Sequence, residues 1–418
     1  MIKAAIIAIG DELLIGETIN SNSAWLGKEL TKLGITINTS VTISDNHSSI
    51  IDTLEKLSEI NDIIITTGGL GPTKDDLTKK AIASFFKVGM HEDEITRLHL
   101  IEYFNRRGRE ITDLHFEQAL LPSCSKALKN NIGTAPGIFT KKNKRLYFNL
   151  PGVPREMKSI FEDNIVSILN NFKYSLVEDF YHYETIYTTG IFESDIAKRI
   201  SHLEEEYESV KFAYLPSYSG VRLRLGILNS KLVKNKTILN DLIIKIQSLL
   251  HTFIIEENSQ LLNAFHEYFI KNNWTLSVAE SCTGGGLGSL LTELKGSSKI
   301  LQGGFIVYSN NAKKNLLDVN ETTLEKYGAV SEQTAIELAN NCRKKMGTDF
   351  AISITGIAGP DGGSTKKPVG TVWIGISDST KTKATKFVFL KNREANRELS
   401  KFTALSLLYR KLKYNIEI

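Results

Sequence analysis

At 418 residues the chain is too long for one ordinary domain, and two or three are expected. A composition of 41% hydrophobic and 23% charged residues is that of a globular protein, and a net charge of +4 over scattered lysines argues against nucleic-acid or anionic-membrane partners. Cys124, Cys282 and Cys342 lie far apart, so neither a disulfide framework nor a structural zinc site is expected and a reducing cytoplasm is the default.

From the start to about 168, strand and helix patterns alternate. A strand is predicted over 2–9, a helix over 22–33, a strand over 36–43, a helix over 47–60 and a strand over 62–67. The apolar opening runs straight into Asp11 and Glu12, which marks a first strand and not a signal peptide. Continuous β-branched strands followed by helices predict an α/β domain with a parallel sheet covered on both faces. Ligands of such sheets bind at the carboxyl ends of the strands. There lie GDELLIGETINSNSAWL (10–26), TTGGLGPTKDDLT (66–78) and LPGVPREM (150–157). Gly68, Gly69 and Gly71 would let backbone amides approach a phosphate, and Asp75 and Asp76 would hold a hard divalent cation beside it. Asp11 should reach the same sheet edge. The competing reading is that both aspartates only cap a helix.

Between about 172 and 255 the pattern changes: strands over 184–189 and 221–228, helices over 193–208 and 231–250, and no converging hydroxyls. From 258 onward α/β alternation returns. A helix is predicted over 261–271, a strand over 274–279 and a helix over 285–294. A strand over 304–308, a helix over 331–346 and strands over 350–355, 370–377 and 384–390 follow, with a last helix from Arg393. Between the strand ending at Ala279 and the next helix stands Ser281-Cys-Thr-Gly-Gly285, a hydroxyl-rich turn beside free amides, suited to an anion or an oxyanion.

A serine nucleophile needs a base, and none of the eight histidines lies beyond His266. A Ser-His-Asp triad in this region is therefore disfavoured, leaving lysine or tyrosine as proton acceptor. Lys313 is the best placed by sequence, and Tyr308 is near it. Cys282 is a rival nucleophile, and the residues alone do not choose between it and Ser281.

The three N-terminal blocks, with AESCTGG (279–285), GGFIVYSNNAK (303–313) and TGIAGPDGG…KPVGTV (355–372), resemble the CinA family over essentially the whole chain. The resemblance implies a molybdopterin-binding-like domain over 1–170, a small α+β connecting domain over 171–256 and a C-terminal α/β nicotinamide mononucleotide deamidase domain over 257–418. It implies a Ser281/Lys313 pair with Tyr308 nearby, converting nicotinamide mononucleotide to nicotinate mononucleotide and ammonia without metal or cofactor. Thr283, Gly284 and Gly285 would serve the oxyanion. Thr355, Gly356, Gly359, Arg393 and Arg397 would hold the rest of the substrate. The family tends to show Gly-Asp-Arg before the last helix, whereas this chain has Lys391-Asn-Arg393. For the N-terminal domain the resemblance implies a divalent-metal-dependent ADP-ribose pyrophosphatase. A cytoplasmic homodimer is expected, without nucleic-acid or membrane binding. The alternative is a non-catalytic nucleotide- or pterin-binding regulator linked to competence or DNA damage.

Overall fold

Lys3–Ile9 reads KAAIIAI and is buried from its second residue on, as a strand covered on both faces must be. It lies within a computed structural model that describes residues 2–71, 76–176, 181–228, 233–256 and 259–417. The chain divides into two compact units, 1–183 with 228–232, and 184–227 with 233–418.

In the first unit, Lys3–Ile9 pairs in parallel with Thr36–Ile43 and Ile63–Thr67, and Ile63–Thr67 pairs in parallel with Arg145–Leu150. Two antiparallel strands, Gly137–Lys142 and Lys126–Leu128, complete the six-stranded sheet at one edge. That edge was not predicted. It arises because Asn143 and Lys144 both take positive φ, the two-residue turn that folds a chain straight back on itself. Alternate side chains of the central strands feed two cores. Ile6 and Ile65 pack with Leu26, Leu30 and Met157 on one face. Ile7 and Ile64 pack with Ile50, Leu54 and Ile82 on the other.

The second unit begins with a small α+β layer. Val210–Ser217 and Gly220–Leu228 pair antiparallel, and Ile196, Ile200, Leu242 and Ile246 cover them from Glu193–Glu206 and Val233–Leu249. The first two residues of the helix predicted over 231–250 lie outside the described residues. Next comes a five-stranded sheet in the order Leu301–Ile306, Leu276–Glu280, Phe350–Gly356, Thr371–Ser377, Thr382–Val388. Its first three strands are parallel and its last two antiparallel. One face packs on Phe265 and Phe269 of Leu261–Asn272 and on Leu405, Leu408 and Tyr409 of Arg393–Tyr414. Glu332–Met346 covers the other through Leu338 and Cys342. No helix among the described residues is long and apolar enough to cross a membrane.

Candidate active site

Leu276–Glu280 is fully buried and delivers Ser281 to the carboxyl edge of the sheet, where a parallel sheet opens to ligands. The Ser281 amide donates to the Ile354 carbonyl (2.9 Å), and its own carbonyl accepts from the Gly284 amide (3.1 Å). The tight turn continues through Gly284 and Gly285, both at positive φ. At Gly285 the φ of +91° is what favours glycine, since the nearest atom to an added Cβ is the movable end of the exposed Ile306 side chain.

The helix that follows is shorter than predicted, Gly286–Leu291, and its first turn is not open to an anion. Glu280, 1% exposed, already fills it: its carboxylate accepts from the Leu287 (2.9 Å) and Gly288 (2.7 Å) amides. The oxyanion donors expected at Thr283, Gly284 and Gly285 are reduced accordingly. Gly284 is committed to the turn, whereas the Thr283 and Gly285 amides have no protein acceptor among the described residues. Glu280 was missed from sequence. Its signal was a carboxylate ending an otherwise apolar strand, which burial tolerates only with partners.

Lys313 lies in Asn310–Leu317, whose cap is the Ser309 hydroxyl, accepting from the Ala312 amide (3.0 Å). Its side chain is 1% exposed and its Nζ stands 3.1 Å from Ser281 Oγ, 2.8 Å from the Val307 carbonyl and 3.1 Å from the Tyr308 carbonyl. Burial pushes the amine down to about 8. Protonated, it donates to all three oxygens. Neutral, its two hydrogens serve the two carbonyls and its lone pair meets the Ser281 hydroxyl, which then donates. Among the described residues no charged side chain offsets this burial by pairing with Nζ, so the neutral form is accessible near physiological pH.

Cys282 points elsewhere. Its side chain belongs to the apolar core with Leu287 and Ile354, and burial pushes the thiol up to about 12. A thiol so held is not a nucleophile at neutral pH. Tyr308 also departs from expectation. Its phenol is 62% exposed and accepts from an Arg393 guanidinium N–H (3.4 Å), and it meets Lys313 only through its carbonyl. The alternation that buries Val307 turns the next side chain outward.

Arg393 begins the last helix and also donates to the Gly359 carbonyl (2.6 Å). Asn392, the residue before it, caps this helix by accepting from the Ala395 amide (2.8 Å). Arg397, one turn on, donates to the Thr283 carbonyl (2.9 Å), while its buried Nε and the buried Thr283 Oγ1 have no protein partner among the described residues. Thr355 is not brought to this group: its buried hydroxyl donates to the Ala329 carbonyl (2.7 Å). Gly356 ends its strand paired with Val372.

A cleft of about 560 Å³ opens in the first unit against Gly68, Gly69, Gly71, Asp45 and Asp76. Here Gly68 must lack a Cβ, which would fall 2.1 Å from the Ile9 carbonyl oxygen. The Gly71 amide donates to Asp76 (2.8 Å), so this amide is not free for a phosphate as expected. The helix begins at Thr78, beyond the aspartates. Asp75 lies outside the described residues. Asp11 is exposed, and its neighbour Glu12 lines the cleft instead. Asp45, missed from sequence although it follows the second strand at the ligand-binding edge, is pushed up to about 6 by burial and by Asp76, Asp11 and Glu12. Its Oδ1 has no protein partner. No three acidic, histidine or cysteine side chains converge as a metal site among the described residues. The donor chemistry nevertheless suits a hard cation held by one or two carboxylates and completed by substrate phosphate and water.

Comparison with known proteins gives matches to both regions. Residues 258–412 match the CinA C-terminal domain, and 5–171 match a probable molybdopterin binding domain. The CinA-like protein of Cytophaga hutchinsonii is 37% identical over 99% of this chain and 98% of its own length. That of Trichodesmium erythraeum is 39% identical over 98% of this chain and 97% of its own. A solved structure, the competence/damage inducible protein CihA from Agrobacterium tumefaciens, is 38% identical over 37% of this chain and 93% of that chain, with a TM-score of 0.35.

Proposed function

The chain belongs to the CinA family, and from that premise we propose that its C-terminal region hydrolyses the carboxamide of nicotinamide mononucleotide. The observation carrying this reading is a buried amine 3.1 Å from the Ser281 hydroxyl, its other hydrogen bonds taken by two carbonyls. Ser281 Oγ attacks the carboxamide carbon as its proton passes to neutral Lys313. The oxyanion is stabilised by the Thr283 and Gly285 amides. Lys313 returns the proton to the leaving nitrogen, the C–N bond breaks, and ammonia departs from an acyl-serine. Water, deprotonated by Lys313, attacks the ester carbon. Nicotinate mononucleotide leaves and Ser281 regains its proton. One amide and one water thus yield one carboxylate, one ammonia and the proton that makes it ammonium. Arg393, exposed beside the site, is the cation for the substrate phosphate. Incubation with nicotinamide mononucleotide should release ammonia and nicotinate mononucleotide in equal amounts. No product between about pH 6 and about pH 9 contradicts the reading.

A second activity is favoured by the cleft of the first unit. Asp45 and Asp76 there have the donor chemistry for a divalent cation, which would supply charge neutralisation to a bound pyrophosphate. We propose ADP-ribose as its substrate class.

A further inference from the structure

The cleft of the first unit contains two buried carboxamides whose hydrogen bonds are incomplete. Asn22 is 8% exposed, and its Nδ2 donates to Thr67 Oγ1 (2.9 Å) and to the Gly152 carbonyl (2.8 Å). Thr67 Oγ1 in turn donates to the Pro151 carbonyl (3.0 Å). These bonds fix which end of the Asn22 amide is which, so its Oδ1 is a fixed acceptor, and it has no protein donor among the described residues. Gln118 is 1% exposed, and neither its Oε1 nor its Nε2 has a protein partner among the described residues. Its helical turn is held in place, because buried Lys79 donates to the Glu117 carbonyl (2.6 Å). Both carboxamides line the cleft. Buried polar groups left unpaired are uncommon and call for an explanation.

A phosphate does not supply what they lack, since it offers Asn22 Oδ1 no donor. The described lining also holds no lysine or arginine but does hold Glu12, Asp45, Asp76 and Glu156. What would complete the wall is a neutral ligand edge rich in donors. A glutamine amide matches, in two hydrogen bonds, an amino N–H beside a ring-nitrogen acceptor, the edge an adenine presents.

We propose that Gln118 reads the base of a nucleotide in this cleft by pairing with its amino group and adjacent ring nitrogen, while Asn22 Oδ1 accepts from a ribose hydroxyl. The inference rests on the nucleotide reading of the first unit given above and adds its base specificity. The full chain is titrated calorimetrically, with manganese present, with the α,β-methylene analogue of ADP-ribose, whose bridge resists hydrolysis, and with its counterpart in which unsubstituted purine replaces adenine. Purine carries hydrogen in place of the amino group and leaves Gln118 one bond instead of two. Wild type should bind the adenine compound about tenfold more tightly or better. Gln118→Leu should weaken the adenine compound to within about twofold of the other. Asn22→Ala should weaken both equally, because the hydroxyl is common to them. Thermal midpoints of the variants identify any that fail to fold, and the wild-type comparison stands without them. Equal affinity of wild type for the two compounds overturns the inference and leaves the nucleotide reading intact. Binding of neither overturns both.

Discussion

Lys313 is buried beside a hydroxyl and two carbonyls, with no carboxylate partner, and this arrangement sets its chemistry. Its amine falls from the ordinary lysine value to about 8. The base is the neutral form, whose fraction grows as pH rises, so kcat/KM for ammonia release should climb about tenfold per pH unit below that value and level off above it. A flat profile across that range contradicts Lys313 as base. Lys313→Arg keeps a cation that does not deprotonate, and the rate should fall by about 100-fold or more. The cysteines give an independent check. Iodoacetamide at mildly alkaline pH should label exposed Cys124 and spare Cys282 and Cys342, which are buried with raised thiols. Peptide mass spectrometry reads the result, and early labelling of Cys282 would reopen its claim as nucleophile. In the sequence, Ser281 and Lys313 were legible through the absence of a nearby histidine and through the motif. The choice between Ser281 and Cys282 was not, because both are buried and they differ only in what the fold sets against each: the Lys313 amine for Ser281, the apolar core for Cys282. Asp45 and Gln118 were equally hidden: each gains its character from groups distant in the chain.

The turn around Ser281 is held by a strand, a short helix and the carboxylate between them. Glu280 links the two elements through the Leu287 and Gly288 amides, and such charge-assisted bonds contribute about 1.5–3 kcal/mol each. Glu280→Ala should therefore lower the unfolding free energy by about 3 kcal/mol in urea titration. Glu280→Gln, which keeps one acceptor and turns an N–H toward the other amide, should fall between. An unchanged midpoint in both would mean that the carboxylate is not what closes the turn. The elements themselves were largely legible. Thr36–Ile43, His47–Ile60 and the start of the last helix at Arg393 agree with periodicity and caps. Gly286–Leu291 was overextended because apolar spacing continues past the point where the chain turns. The hairpin at Asn143 was missed because Asn-Lys is a weak turn signal, and Lys144 takes positive φ only in its tertiary setting.

Across the whole molecule, the two sites ask for different chemistry. The carboxylates of the first cleft suit a cation, whereas the nucleophile and base proposed at Ser281 and Lys313 call for none. Excess chelator should lower ADP-ribose hydrolysis about 100-fold or more and leave ammonia release unchanged. Loss of both together would contradict the separation. The α/β character of the two end regions was readable from strand and helix periods. The family was readable because its motifs sit at strand ends, where the fold tolerates little change. The mixed direction of both sheets was not, since strand pairing depends on contacts remote in sequence. The most direct test of the account is ammonia release from nicotinamide mononucleotide by wild type, Ser281→Ala, Cys282→Ala and Lys313→Ala, in chelator and at matched folding. Loss of about a thousandfold or more in the Ser281 and Lys313 variants, with Cys282→Ala active, is predicted. Full activity of Ser281→Ala, or a dead Cys282→Ala beside it, would contradict the serine–lysine mechanism.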